Sequence, residues 1–256
     1  MTMLDRRKLL LGGAALALSG CKVFDSATDQ GSPLRALFAS HEGLTRSAQR
    51  ALIGDALAPE FTESDIRQGM RPNGSVDPAG AAYRRMLEDG FRDYRLIVTG
   101  MVETPLSLSL ADLARLPSRT QITRHDCVEG WSCIAKWQGV PLGTILNLAQ
   151  PKLGARYAVF RCFDAIERSL SGEVFYYESI DLQDAFHPQT ILAYAMNGAP
   201  LPVANGAPLR LRVERQLGYK MAKYLHTIEL VDSFAGLGFG RGSYWADRGY
   251  EWYAAI

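Results

Sequence analysis

From Tyr94 onward the chain is built of short alternating runs, and this limits the possible folds more than any other feature. Arg95–Gly100, Leu106–Leu110, Tyr157–Cys162, Val174–Ser179, Leu209–Glu214 and Thr227–Val231 read as strands, bounded by Gly, Pro and Asn. Between them Ala111–Leu116, Pro141–Leu148 and Ile191–Met196 read as short helices, and Ile180–Phe186 as a helical turn or loop. Pro141 suits the first position of its helix, where no backbone N–H is needed. The long strand–helix–strand period of a doubly wound parallel sheet is missing. An α+β fold with mixed/antiparallel sheets and short helices is therefore expected. With 256 residues, 47% of them apolar and 21% charged, the chain can bury a substantial core. A net charge of +1 gives no electrostatic case for a nucleic-acid partner.

The first ninety residues differ from the rest. Arg6-Arg7-Lys8 followed by the apolar run Leu9–Leu18 reads as an export signal over residues 1–20, too short to span a bilayer. Asp5–Leu10 resembles a twin-arginine signal, and Leu18-Ser19-Gly20-Cys21 resembles a bacterial lipoprotein cleavage box. Together they imply a periplasmic or cell-envelope protein anchored by a lipid on Cys21. Residues 21–90 then read as a tether and helical arm, with helices over Leu44–Leu57 and Ala79–Asp89 and a turn at Arg71-Pro72-Asn73-Gly74. Residues 91–256 are expected to form the catalytic domain, ending in an aromatic tail. That tail, Tyr244–Tyr253, could cover a pocket or pack against the domain.

The stretch most suggestive of chemistry is Arg124–Leu142, which contains Cys127-Val128-Glu129-Gly130-Trp131-Ser132. It is too polar and too rich in Gly and Trp for an ordinary core strand. A soft thiolate suits a thiophilic metal, and Arg124 or His125 could favour the ionised form. With Cys21 set aside, Cys127, Cys133 and Cys162 remain, an odd number in an exported chain, so a disulfide framework is not expected. Cys133 and Cys162 are expected to pack in the core.

The Cys127–Ser132 segment, followed by Trp137–Leu142, resembles the sulfite-oxidase-like molybdopterin oxidoreductases. The resemblance is greatest to the bacterial periplasmic branch with the methionine sulfoxide reductase catalytic subunit, and it runs from about Tyr94 to Val231. It implies a molybdenum-molybdopterin cofactor with Cys127 as catalytic metal ligand. Asn205–Arg212 and Arg215–Lys223 resemble the family's cofactor-binding segments, which implies cofactor contacts for Arg210, Arg215, Lys220 and Lys223. His187, in a His-Pro pair, and His125 are further candidates. The reductase branch's Asn-Asn-aromatic-Tyr-Glu stretch is missing, and Asn73 is a candidate substitute.

The implied reaction is two-electron oxygen-atom transfer on a small sulfur compound, sulfite or sulfoxide. Arg124, Arg161, Arg168 and Arg241 are possible oxyanion binders. With four histidines and no cytochrome-like segment, the chain is expected to exchange electrons with a membrane haem b cytochrome. Two other readings stand beside this one: a lipid-anchored cofactor-binding protein with altered catalysis, and a hydrolase using Cys127 with His125.

Overall fold

A computed structural model describes residues 43–44, 46–51, 54–169 and 172–256. The chain divides into two units, Met1–Ala56 and Leu57–Ile256. In the first, residues 43–44 and 46–51 are helical. The export signal and Cys21 lie outside the described residues. Among the described residues no helix is long and apolar enough to cross a membrane.

The second unit is built on two five-stranded sheets. One has the order β2 (Leu106–Leu108), β1 (Leu96–Gly100), β10 (Leu225–Val231), β5 (Tyr157–Ser169), β6 (Gly172–Asp181). Its neighbours are antiparallel except β1 and β10, which run parallel. The other runs β3 (Arg119–Asp126), β4 (Ser132–Pro141), β7 (Ile191–Met196), β8 (Ala199–Pro200), with β9 (Arg210–Arg212) also paired to β7. Short helices α1 (Ala81–Glu88), α2 (Leu110–Arg115), α3 (Leu142–Ala149) and α4 (Leu182–Ala185) join them. The fold is α+β with mixed and antiparallel sheets, as the spacing of the runs implies.

The main core joins Leu96 and Val98 of β1, Phe160 of β5 and Ile228 of β10 to Ile145 and Leu146 of α3 and Leu192 of β7. A second cluster gathers Cys133, Ala135 and Trp137 of β4 with Ile191 and Ala193 of β7. Cys133 and Cys162 thus lie in the two cores, and no described cysteine forms a disulfide.

Two expectations are corrected. Ile191–Met196 is a strand, not a helix. Ile191 and Ala193 face one cluster while Leu192 faces the other, so both faces are apolar. A period of two then leaves no trace in hydropathy. The Arg124–Leu142 stretch is also strand, forming a hairpin in which His125 pairs with Cys133 and Asp126 with Ser132. The inward face of β3, which opens this hairpin, is itself polar: it carries Gln121, Thr123 and His125, all buried. Where β4 meets β7 the register slips beside Gly139, and a Cβ there would overlap the Leu192 carbonyl. Only glycine allows the two backbones to approach so closely.

Candidate active site

At the turn end of the β3–β4 hairpin lies a cavity of about 180 Å³, with Cys127 on its wall. The hairpin turn closes through Cys127 N–H to the Trp131 carbonyl (2.9 Å) and Gly130 N–H to the Cys127 carbonyl (3.0 Å). Gly130 adopts φ +83°, a left-handed conformation open to glycine at little cost. The turn presents Cys127, Val128 and Glu129 to the cavity, and the Trp131 indole holds Glu129 at 2.9 Å.

Cys127 is 8% exposed. Burial pushes its thiol up; the Glu129 backbone, the Arg71 charge and the Val128 backbone pull the other way, and the Glu129 carboxylate adds to the rise. The expected activators sit elsewhere. Arg124 pairs with Asp126 at 2.9 Å. His125 is fully buried, with Nδ1 2.9 Å from an Arg212 nitrogen and 3.3 Å from Met221 Sδ. A guanidinium can only donate, so Nδ1 accepts and the proton sits on Nε2. Burial, with the charges of Arg212, Arg210 and Lys223, holds His125 well below its usual range, hence neutral. His125 does not line the cavity beside Cys127, and no Cys–His nucleophile pair is assembled there.

The loop Asn73-Gly74-Ser75, Asp164 and Lys223 also line the cavity. The Lys223 ammonium donates to the carbonyls of Asn73 (2.7 Å), Ala204 (3.1 Å) and Ser75. Burial, then the charge of Arg210, pulls Lys223 down to about 7. Asp164 owes its position to an irregularity in β5. The pairing skips from Arg161↔Tyr177 to Ala165↔Phe175, leaving Cys162, Phe163 and Asp164 opposite Tyr176 alone. Such bulges bend a strand and re-aim its side chains.

Aromatic side chains complete the lining. Tyr176 and Tyr219 come from the body of the fold, Trp245 and Tyr250 from the C-terminal tail. The tail is secured by Tyr219 Oη donating to the Glu251 carbonyl (2.6 Å) and by Leu217 N–H donating to that of Ala254 (2.9 Å). Tyr250 stacks edge-on against Tyr219 (5.3 Å between centroids) and lies 5.0 Å from Trp245. The tail therefore both packs and covers.

Behind Lys223 is a buried group of polar atoms without partners: Thr123 Oγ1, His125 Nε2, Trp137 Nε1, Asn205 Nδ2, and Nε and Nη2 of Arg210. Arg210 donates its Nη1 to the Asn205 carbonyl (2.9 Å), and Arg210 and Arg212 both stack on Trp137, at 4.9 and 4.3 Å. A Cβ on Gly206 would crowd Lys223 and Arg210 together, so the group adjoins the cavity wall. Burial lowers Arg210 to about 9. Buried donors rarely go unsatisfied. An excess of donors with few acceptors suits an acceptor-rich anionic group.

The remaining candidates point elsewhere. Lys220 is fully buried, donating to Glu178 Oε1 (2.5 Å) and the Ser179 carbonyl (2.8 Å). Arg215 pairs with Asp184 at 2.9 Å. His187 Nδ1 accepts from the Gln189 N–H at 3.3 Å. None of the three lines the cavity. Arg161 and Arg168 pair with Glu229 and Glu173, and neither they nor Arg124 or Arg241 line it. Of the candidates, Cys127, Asn73 and Lys223 meet on the wall, while Arg210 and His125 stand behind it. Sequence reasoning missed Asp164, Asn205, Arg71 and the tyrosines Tyr176 and Tyr219. Three of these had a signal: Asn205 opens the Asn205–Arg212 segment, Tyr219 lies within Arg215–Lys223, and Arg71 opens the turn that holds Asn73.

Among the described residues no three His, Cys, Asp or Glu side chains converge as a metal cage. A metal held by one thiolate and a sulfur-bearing organic ligand needs no such cage. The cavity beside Cys127 and the unsatisfied donors behind Lys223 fit an anionic pterin of that kind.

Residues 84–235 match the family model for the oxidoreductase molybdopterin binding domain, and the chain belongs to that family, of the sulfite-oxidase-like type. Within it, the chain falls in the branch of the methionine-sulfoxide reductase subunits. It is 37% identical over 251 residues to the putative protein-methionine-sulfoxide reductase subunit YedZ1 of Azospira oryzae, spanning 97% of this chain and 85% of that one. It is also 37% identical over 164 residues to the protein-methionine-sulfoxide reductase catalytic subunit MsrP of Xanthomonas campestris, spanning 61% of this chain and 49% of that one. The chain thus spans about half the length of that MsrP. The sulfane dehydrogenase SoxCD of Paracoccus pantotrophus has the same fold, with a TM-score of 0.53 at 22% identity over 70% of this chain and 46% of that one. Molybdopterin is the cofactor class of the family, and oxidoreductase its general activity.

Proposed function

We propose that the chain binds molybdenum-molybdopterin through Cys127 and reduces neutral sulfoxides, with electrons from a membrane haem b cytochrome. Bound there, the cofactor would supply two-electron oxygen-atom exchange with a sulfur compound. The observation that carries the choice of substrate is the charge of the lining. Two acids, Glu129 and Asp164, line the cavity with one amine, Lys223, whose ammonium already donates to three carbonyls. The rest of the lining is largely aromatic or aliphatic. A sulfite anion would meet the like charge of Glu129 there and no unengaged cation, which costs binding, whereas an uncharged sulfoxide meets apolar surface and a few polar groups. The names of the YedZ1 and MsrP relatives support the same substrate class.

Cys127 would be the metal ligand. Asn73, Lys223, Arg210 and His125 would hold the pterin: Lys223 as a point charge, Arg210 through two unsatisfied N–H groups, and His125 through its Nε2–H. For His187, Arg215 and Lys220, support rests on the motif resemblance alone. We assign residues 1–20 as a twin-arginine export signal, residues 21–90 as tether and arm, and residues 91–256 as the catalytic region. Cys21 would carry a lipid that keeps the enzyme at the membrane beside its electron donor.

Metal and pterin analysis of the full chain tests this reading, alongside Cys127→Ser. About one molybdenum per chain is expected in the parent. The substitution should reduce sulfoxide turnover by at least about 100-fold, the scale for removal of an essential group. A parent that stays metal-free in cofactor-replete cells, or that oxidises sulfite and reduces no sulfoxide, refutes it. A parent that holds the metal but turns over neither would be the cofactor-binding protein with altered catalysis.

A further inference from the structure

We infer that Asp164 is the catalytic acid of the cavity, donating the proton that leaves with the oxygen of the substrate. The inference rests on the reduction of sulfoxides proposed above, and two independent geometric observations carry it. First, the β5 bulge turns Asp164 out of the sheet ladder and into the lining of the cavity that Cys127 also lines. A residue whose job was to support the sheet would gain nothing from leaving the ladder. Second, the residue is 3% exposed, yet its Oδ1 is buried with no hydrogen-bond partner. Its carboxyl is otherwise met by the side chain of Ser75 and by its own backbone N–H. A buried carboxylate oxygen without a donor is costly, and the cost is relieved when the oxygen holds a proton or faces a polar ligand.

The titratable groups around it are few. Lys223 lines the same cavity, Cys162 is on the same strand, Tyr176 on β6, Tyr83 on α1, and Tyr224 beside Lys223. The three tyrosines and Cys162 are all raised by burial and so uncharged. Glu129 is the remaining acid on the wall. The carboxyl of Asp164 is pushed up to about 6, chiefly by burial, with the Ser75 hydrogen bond and the charge of Lys223 opposing. A carboxyl poised near neutrality can give up a proton and regain it within one turnover.

The step balances as follows. The sulfoxide S–O bond breaks, and sulfur is reduced by two electrons, one from each of two equivalents of a low-potential one-electron carrier, which are oxidised in turn. The oxygen leaves as water with two protons, one from Asp164 Oδ1 and one from solvent. Solvent then restores the proton on Asp164.

Asp164→Asn and Asp164→Glu test the inference in the cofactor-loaded full chain, with reduced viologen as donor and dimethyl sulfoxide and methionine sulfoxide as substrates. The amide should lower kcat by about 100-fold, the usual scale for a general acid. KM should change little, and the limb of the kcat–pH profile near pH 6 should vanish. The glutamate should restore part of the rate and bring a limb back. An Asp164→Asn enzyme that keeps both kcat and the limb overturns the assignment. So does one whose loss lies wholly in KM, which would make Asp164 a binding group. Infrared titration of the same chains reads the carboxyl directly, with or without cofactor. Absence of an Asp164-dependent acid band near pH 6 overturns the inference whichever substrate is turned over. Sulfite oxidation without sulfoxide reduction would instead remove the reading beneath it, so the two fail separately.

Discussion

Asp164 illustrates how little a single charged residue reveals before its surroundings are known. In sequence it is one acid among several in a mixed-charge segment, and only the bulge and the missing partner distinguish it. Its pH linkage has a definite sign. The folded-state value of about 6 lies above the ordinary 3.8, so the folded chain holds more protons across that interval. Stability is then fully present below about pH 4 and is lost as pH rises through about 6, by roughly 3 kcal/mol for a two-unit shift. Asp164→Asn should flatten this part of the curve of melting temperature against pH; an unchanged slope would show that another group sets it. The Lys220–Glu178 pair makes a second case. Both side chains are wholly buried, so Lys220→Met leaves a carboxylate without its counter-charge. A loss of about 3–5 kcal/mol is expected by chemical denaturation, most of it recovered in Lys220→Met/Glu178→Gln. A double variant no more stable than the single one would mean that the lysine contributes by packing rather than by charge.

At the level of elements, most of the strands and short helices could be read from period and punctuation, because one face of each is polar. The same reasoning failed for β7, whose two faces feed two apolar clusters and whose alternation is therefore invisible. It also failed for the β3–β4 hairpin, where buried Gln121, Thr123 and His125 disguise an inward face as a surface. Cys127 was legible through its motif, and Asn73 and Lys223 through theirs, but the other residues that line the cavity come from distant stretches and carry no local signal. Gly139 is the element-scale weak point. A methyl group there would strike the Leu192 backbone, which cannot swing aside as a flexible side chain can. Gly139→Ala should destabilise the chain by more than about 2 kcal/mol and lower its soluble yield. A thermal midpoint within a degree or two of the parent would show that the β4–β7 junction can part.

Across the whole second unit, the cavity is a meeting place of sequence-distant parts: residues 73–75, the hairpin turn at Cys127, Asp164 on β5, the segment holding Gly218–Lys223, and the tail from Trp245 to Tyr250. Removing Gly249–Ile256 takes away Tyr250 and the carbonyls of Glu251 and Ala254 that anchor the tail. KM for a sulfoxide should rise several-fold, on the scale of losing one buried aromatic contact of about 0.5–1.5 kcal/mol, while molybdenum content is kept. Retained KM would assign the tail to packing alone.

That tail also gives the chamber a wall drawn from a stretch far in sequence from the thiol it encloses. A change confined to residues 245–250 would therefore reshape the chamber while leaving the Cys127 turn and its hydrogen bonds intact.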